Sequence, residues 1–239
     1  MASISIIIPA LNEAESIPLV LDSIPPRLGQ VIVVDNGSAD QTAAVAAKHG
    51  ARVVSEPHRG YGQACQRGIC AAGDCDILVF LDADFCDDPE LIPLLVSPIE
   101  SGHADFVLGS RCANSVSKQR LTPQQRWGNS LACMLMKFIW QGQYTDLGPF
   151  RAISRTALTS LNMQDQNFGW TVEMQIRALK KNLRIVELST PYRLRRHGKS
   201  KISQTVSGVI GAGSKILFVI AREFIKRDHQ AEKSYQDTK

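Results

Sequence analysis

The sequence predicts an α/β fold: a single Rossmann-like, mostly parallel sheet flanked by helices, followed by a C-terminal helical tail. Three observations carry this. Short apolar, β-branched runs recur at a steady pitch, at residues 4–8, 31–34, 53–54, 77–81 and 106–108. Segments of helical character separate them, the pattern of βαβ units. Asn, Asp and Gly residues gather just past the first, second and fourth runs, where an open parallel sheet binds its ligands.

The elements follow in order. The first run leads into Pro9-Ala-Leu-Asn12-Glu13 and the second into Asp35-Asn36-Gly37-Ser38. Ser38 is placed to cap a helix, with Gln41 completing a capping box and Gly50 at the C-terminal stop. The fourth run ends in Asp82-Ala83-Asp84, and a helix is predicted from Pro89 with Glu90 in its first turn. After about residue 115 the pitch breaks. Residues 122–140 read as a long helix capped by Thr122 with Pro123 at its first position, 168–181 as another helix, and 184–194 as a strand.

Residues 205–226 have roughly helical apolar spacing, interrupted by Lys215, Arg222 and Glu223. Such a helix either packs on the domain or lies in a membrane interface. The expected division is an α/β domain over 1–204 and an amphipathic helix with a polar tail over 205–239.

Composition excludes several classes. The 239 residues are 44% hydrophobic and 21% charged, with 17 Gly and 11 Pro, which is ordinary globular usage and not that of a disordered or collagen-like chain. No basic, apolar leader is visible, and no run of 18 uncharged apolar residues marks a spanning helix. The six cysteines contain no C-x-x-C pair and are expected as reduced thiols, not as a zinc site. The net charge of +4 is concentrated: nine Lys/Arg lie between Arg177 and Lys201 against one acid, Glu187. That stretch lacks the interleaved aromatics of a nucleic-acid stacking platform, so no nucleic-acid partner is expected.

Asp82 and Asp84 give the sharpest chemical signal. Two carboxylates at i and i+2 past a buried strand repel each other unless a cation sits nearby, and Mg²⁺ or Mn²⁺ shared with phosphates suits them. Each of the three strand ends alone is compatible with turn chemistry. Three spaced by βα units point to one site.

The ordered set Pro9/Asn12/Glu13, Asp35-Asn36-Gly37-Ser38, Arg59-Gly60-Tyr61-Gly62 and Asp82-Ala83-Asp84 resembles the inverting nucleotide-sugar glycosyltransferases of the A-type fold. Gly109-Ser110-Arg111, then Asp146 to Arg151, then Arg195 to Lys201 narrow the likeness to the polyprenyl- or dolichyl-phosphate mannose and glucose synthase branch. The likeness spans about residues 3–205.

The resemblance implies roles at matching positions. Pro9, Asn12, Glu13 and Asp35 would line the base and ribose, with Asn36 and Gly60 beside them; Asp82 and Asp84 would address the ribose and the metal-bridged diphosphate. Asn36 stands where many relatives carry Asp, and Cys86 where mannose synthases often supply Gln to the metal. A neutral thiol is a poor ligand for a hard cation. Arg195, Lys199 and Lys201 are suited to neutralise the leaving diphosphate, while His197 beside them is expected to be structural or solvent-exposed. Glu173 lies on a helix that packs under the site in such enzymes.

Arg126 and Ser130, one helical turn apart, match with Arg111 the groups that hold an acceptor phosphate in that branch, and residues 131–140 offer an apolar surface to an isoprenoid chain. The expected reaction transfers a hexose, with inversion, from a UDP- or GDP-sugar to a polyprenyl phosphate. This would take place in the cytoplasm at the membrane surface. The alternative is transfer to a hydroxyl of a soluble acceptor, with Asp146 as base.

Overall fold

The computed structural model describes residues 2–198 and the helix Val206–Gln236, the latter with side chains over 211–226. Seven strands form one sheet: β1 (Ile4–Ala10), β2 (Gln30–Asp35), β3 (Arg52–Ser55), β4 (Ile77–Phe80), β5 (Phe106–Ser110), β6 (Arg151–Ser154) and β7 (Ile185–Ser189). Their order is β3-β2-β1-β4-β6-β5-β7. All pairings are parallel except those of β6, which runs antiparallel to both β4 and β5.

The central strands are apolar on both faces because both faces are covered. Ile7, Leu78 and Phe80 point to one core, with α3 (Tyr61–Ala71), α6 (Pro123–Trp140) and α8 (Trp170–Lys180) packed over it. Ile6, Ile8 and Val79 point to the other, under α1 (Ile17–Asp22), α2 (Thr42–Lys48) and α4 (Ile92–Glu100). Within the first core, the rings of Phe80 and Trp170 meet edge to face at 6.2 Å.

Several local expectations are met by the observed bonds. Thr122 and Gln125 form a reciprocal capping box at the start of α6, with Pro123 in its first turn. Asp88 caps a 3₁₀ turn over Pro89–Leu91 that leads into α4. The Ser38 cap is corrected. Helix α2 begins at Thr42, whose amide donates to Asp40, while the Ser38 hydroxyl accepts from the Asn12 amide and so ties the first strand end to the second. The strand expected over 184–194 is only five residues long, Ile185–Ser189, because the chain then turns toward the site. Three short elements had no clear signal: α5 (Ser115–Arg120), β6 and α7 (Arg155–Leu161).

The C-terminal helix α9 (Val206–Gln236) packs on the body through α6 and α8. Val219 and Ile220 are buried in the core beside α8. Glu223, also buried, accepts from Arg177 Nη2 at 2.9 Å and pairs with Lys180 Nζ at 3.2 Å. Arg222 reaches back to Glu173 at 2.6 Å, and Lys215 to Asp165 at 3.0 Å. Over residues 215–223, packing on the domain is therefore the arrangement that forms. Among the described residues no helix is long and apolar enough to cross a membrane.

Candidate active site

The carboxyl ends of β1, β2 and β4 open into one cleft of about 780 Å³. Of the residues singled out from the sequence, Pro9, Glu13, Asn36, Gly60, Asp82, Asp84, Arg111 and Arg195 line it. A second, smaller cavity of about 260 Å³ adjoins it, sharing Tyr61, Asp82, Arg111, Gln125 and Phe168. Its other walls are largely apolar and include Leu121, Leu147, Pro149 and Ile216 of α9.

The turn after β4 presents the two aspartates differently. Asp84 Oδ1 accepts the Cys86 amide at 3.0 Å, and its Oδ2 accepts from Arg195 Nη2 at 2.8 Å. Asp82 is deeper, and its Oδ1 is buried without a hydrogen-bond partner. Burial first, and the negative charge of Asp84 second, push the Asp82 carboxyl up to about 7, against a smaller opposing contribution from the Tyr61 hydroxyl. Phe85, just beyond, has φ +60°, a strained conformation for a bulky residue, with the Arg193 guanidinium 4.6 Å over its ring.

An orphaned buried oxygen beside a second carboxylate fits a divalent cation. Among the described residues no three His, Cys, Asp or Glu side chains form a metal set, so a cation held by Asp82 and Asp84 would need further oxygens from substrate and water. Cys86 does not serve, because burial holds its thiol protonated well beyond the physiological range.

Arg195 arrives from the chain after β7 and spans the cleft floor. Its Nη1 donates to Glu13 Oε1 at 2.7 Å while Nη2 holds Asp84. Arg111, from the end of β5, is fixed by Asp146 through Nε at 2.7 Å and Nη2 at 2.8 Å, with the Tyr192 ring 5.2 Å away. Asp146 is buried, also accepts the amides of Arg111 and Leu147, and is held below its usual pKa against its burial by the Arg111 charge. It lines neither cavity. The base expected at this position is thus placed against Arg111 and away from both cavities, where the carboxylate holds that guanidinium in position.

Asn36 is an organising residue. Its amide nitrogen donates to the carbonyls of Glu56 and His58, and its oxygen accepts the Gly60 amide at 2.8 Å. Only a side chain with both donors and an acceptor does this, which accounts for Asn in place of Asp. Gly60 and Gly62 are required by close approach, since a Cβ at either would lie within about 2.2 Å of the Gln166 or Asp165 carbonyl oxygen. Asn12 and Asp35 stand outside the cleft lining and brace its rim: Asn12 Oδ1 accepts the Ala39 amide and Asp35 Oδ1 the Ser38 amide.

Arg126 and Ser130 are not brought to the site. Helix α6 turns Thr122, Gln125, Gly128 and Asn129 toward the cavities, and at about 100° per residue Arg126 and Ser130 fall on a different face. Lys199 and Lys201 lie outside the described residues. Glu173 is fully buried under the site and holds the amides of Gln164 and Asp165. Sequence reasoning missed Tyr61, Gln125, Asn167, Phe168 and Tyr192 as lining residues. Only Tyr61, inside the Arg59–Gly62 motif, carried a signal.

Comparison with known proteins agrees with this geometry. The family model described as "Glycosyl transferase family 2" matches residues 5–161. An uncharacterised glycosyltransferase of Mycobacterium tuberculosis is 38% identical over 208 residues, covering 87% of this chain and 93% of the relative. A dolichyl-phosphate hexose transferase of Haloferax volcanii is 29% identical over 227 residues, covering 93% and 96%.

Among solved structures, glucosyl-3-phosphoglycerate synthase of M. tuberculosis in complex with Mn²⁺, UDP-glucose and phosphoglyceric acid superposes with a TM-score of 0.72. It is 26% identical, with 92% of this chain and 80% of that chain covered. The same enzyme with phosphoglyceric acid alone gives a TM-score of 0.73 at 27% identity, with the same coverage. The sheet is that of the A-type glycosyltransferase fold, and the chain belongs to glycosyl transferase family 2.

Proposed function

We propose that this enzyme transfers a hexose from a nucleoside-diphosphate sugar, UDP-glucose being the first candidate, to a phosphorylated acceptor. The observation that carries the reading is the convergence of Asp82, Asp84, Arg195 and Arg111 in one cleft, with Arg111 and Asp82 also bordering the second cavity. Asp82 and Asp84 would hold Mg²⁺ or Mn²⁺, which supplies charge neutralisation for the departing diphosphate. Arg195 adds a fixed guanidinium on the same side, and Arg111, locked by Asp146, presents a second positive group toward the acceptor cavity.

Carboxylates lining the two cavities are Glu13, Asp82 and Asp84, and among the described residues no His lines either. Glu13 is paired with Arg195. A phosphate on the acceptor suits such a site, since it is ionised at neutral pH. In a phosphate monoester with a free hydroxyl, that phosphate or the leaving diphosphate can take the hydroxyl proton. A small soluble phosphorylated acceptor is supported by the solved relatives that hold phosphoglyceric acid.

A second reading, transfer to a polyprenyl phosphate with inversion, is favoured by the apolar walls of the second cavity and by the dolichyl-phosphate hexose transferase aligned over nearly its full length. Labelled UDP- and GDP-sugars offered with Mn²⁺ and either 3-phosphoglycerate or undecaprenyl phosphate separate the two. Label enters a water-soluble phosphate ester in the first case and an organic-extractable lipid in the second, and the anomeric configuration of the product gives the stereochemistry. Transfer to neither, but to an uncharged sugar, would overturn the phosphate requirement.

A further inference from the structure

Helices α6 and α9 contact each other and both contact α8, burying one side of each. The opposite sides are apolar and uncovered. On α6, Trp127, Met134 and Phe138 recur at i, i+7 and i+11, the spacing of one stripe, and Trp127 and Phe138 are 71% and 79% exposed. On α9, Phe218 and Ile225 are exposed on the side away from buried Val219, Ile220 and Glu223. Exposed aromatics concentrated in this way are not the scatter of an ordinary surface.

The charge around them has one sign. Residues 123–140 contain no Asp or Glu, and residues 211–226 contain only Glu223, which is buried. Exposed Lys137 and Lys226, with half-buried Arg126, supply the cations.

We infer that this two-helix face docks the enzyme on an anionic phospholipid surface. An isologous contact with a second copy brings like patches together, cation facing cation, whereas anionic headgroups complement them. Trp127 and Phe138 insert at the level where aromatic rings partition, and the basic side chains stay in the headgroup layer. Helix α9 takes part with its outer side while its inner side remains packed on the body. This goes beyond the proposed reaction and does not depend on which phosphorylated acceptor is used.

The test uses the full chain and vesicles free of any polyprenyl phosphate. The protein should sediment with phosphatidylcholine vesicles containing phosphatidylglycerol, more weakly with phosphatidylcholine alone, and less as salt rises. Tryptophan emission should shift to the blue on binding. Combining Trp127→Ser with Phe138→Ser should lower vesicle affinity roughly tenfold or more. Melting temperature and UDP binding should be unchanged, because neither residue lines the cleft. Equal sedimentation of the variant overturns the proposal. So does a concentration-dependent dimer that the same substitutions dissolve in a protein that does not bind vesicles.

Discussion

One guanidinium, that of Arg195, bridges Glu13 at the end of β1 and Asp84 at the end of β4, at 2.7 and 2.8 Å. It thereby organises the cleft from a segment more than a hundred residues away in sequence, and it would compete with the proposed cation for Asp84. Arg195→Ala should therefore tighten Mn²⁺ binding while lowering kcat on the order of 100-fold, the usual cost of losing one preorganised charge partner. Metal titration and steady-state kinetics on one preparation would show both. Weakened metal binding would argue that Arg195 only positions Asp84.

Asp84→Asn should abolish transfer, and EDTA should do the same to the wild-type enzyme, with Mg²⁺ or Mn²⁺ restoring it. The side chain borders the cleft and not the core, so the melting temperature of the variant should stay within a few degrees of wild type. Near-normal turnover in Asp84→Asn would remove the metal-site reading.

Asp82→Asn carries a pH signature in metal-free protein. The Asp82 carboxyl is raised to about 7, above the roughly 3.9 of an unfolded aspartate. The folded state thus holds this proton more tightly, and wild-type stability declines as pH rises between those two values. Below about 4 the group is neutral in both states and adds nothing. The melting temperature of Asp82→Asn relative to wild type should rise across that window and level off above about 7. A constant difference from pH 4 to 8 would contradict it.

Asp146→Asn should behave in the opposite sense. The folded pKa of Asp146 lies below its ordinary value because of Arg111, so its contribution is complete above about 3.9 and is lost as pH falls further. Removing it leaves the cleft-lining Arg111 guanidinium without its partner, at a cost of about 2–3 kcal/mol at neutral pH. Denaturant titrations should show the gap to wild type narrowing below pH 4. Stability equal to wild type at pH 7 would mean that the ion pair contributes nothing.

Glu223→Ala tests how firmly α9 is attached. Glu223 is 2% exposed and serves Arg177, Lys180 and Arg222, so its loss should cost about 3 kcal/mol. Protease protection of α9 should fall with it. An unchanged protection pattern would show that Val219 and Ile220 suffice.

What could be read from the sequence has a physical boundary. β1, β2, β4 and β5 were legible because both their faces are buried, which forces continuous apolar runs. β6 was not, because it has only four residues and begins with Arg151, a buried arginine whose partners are backbone carbonyls such as that of Thr171. The strand ends named Asp82, Asp84 and Glu13 correctly as neighbours, since topology alone brings them together. Which face of α6 meets the cleft depends on tertiary packing, and that separates Gln125 from Arg126. The pairing of Arg111 with Asp146, 35 residues apart, likewise had no local signature, and it places the Asp146 carboxylate against a guanidinium and outside both cavities.

The antiparallel β6 has a consequence for how the chain is made. β3, β2, β1 and β4 come from consecutive βα units and can zip together as residues 4–80 emerge. β5 cannot join them: its two neighbours are β6 and β7, whose residues begin at 151 and 185. During synthesis its apolar Phe106-Val-Leu waits with both edges unpaired, as does the outer edge of β4. This is the interval in which non-native strand pairing is most costly to the cell. A nascent chain stalled near residue 150 is therefore expected to be the species that chaperones recognise, while release beyond residue 189 closes the sheet.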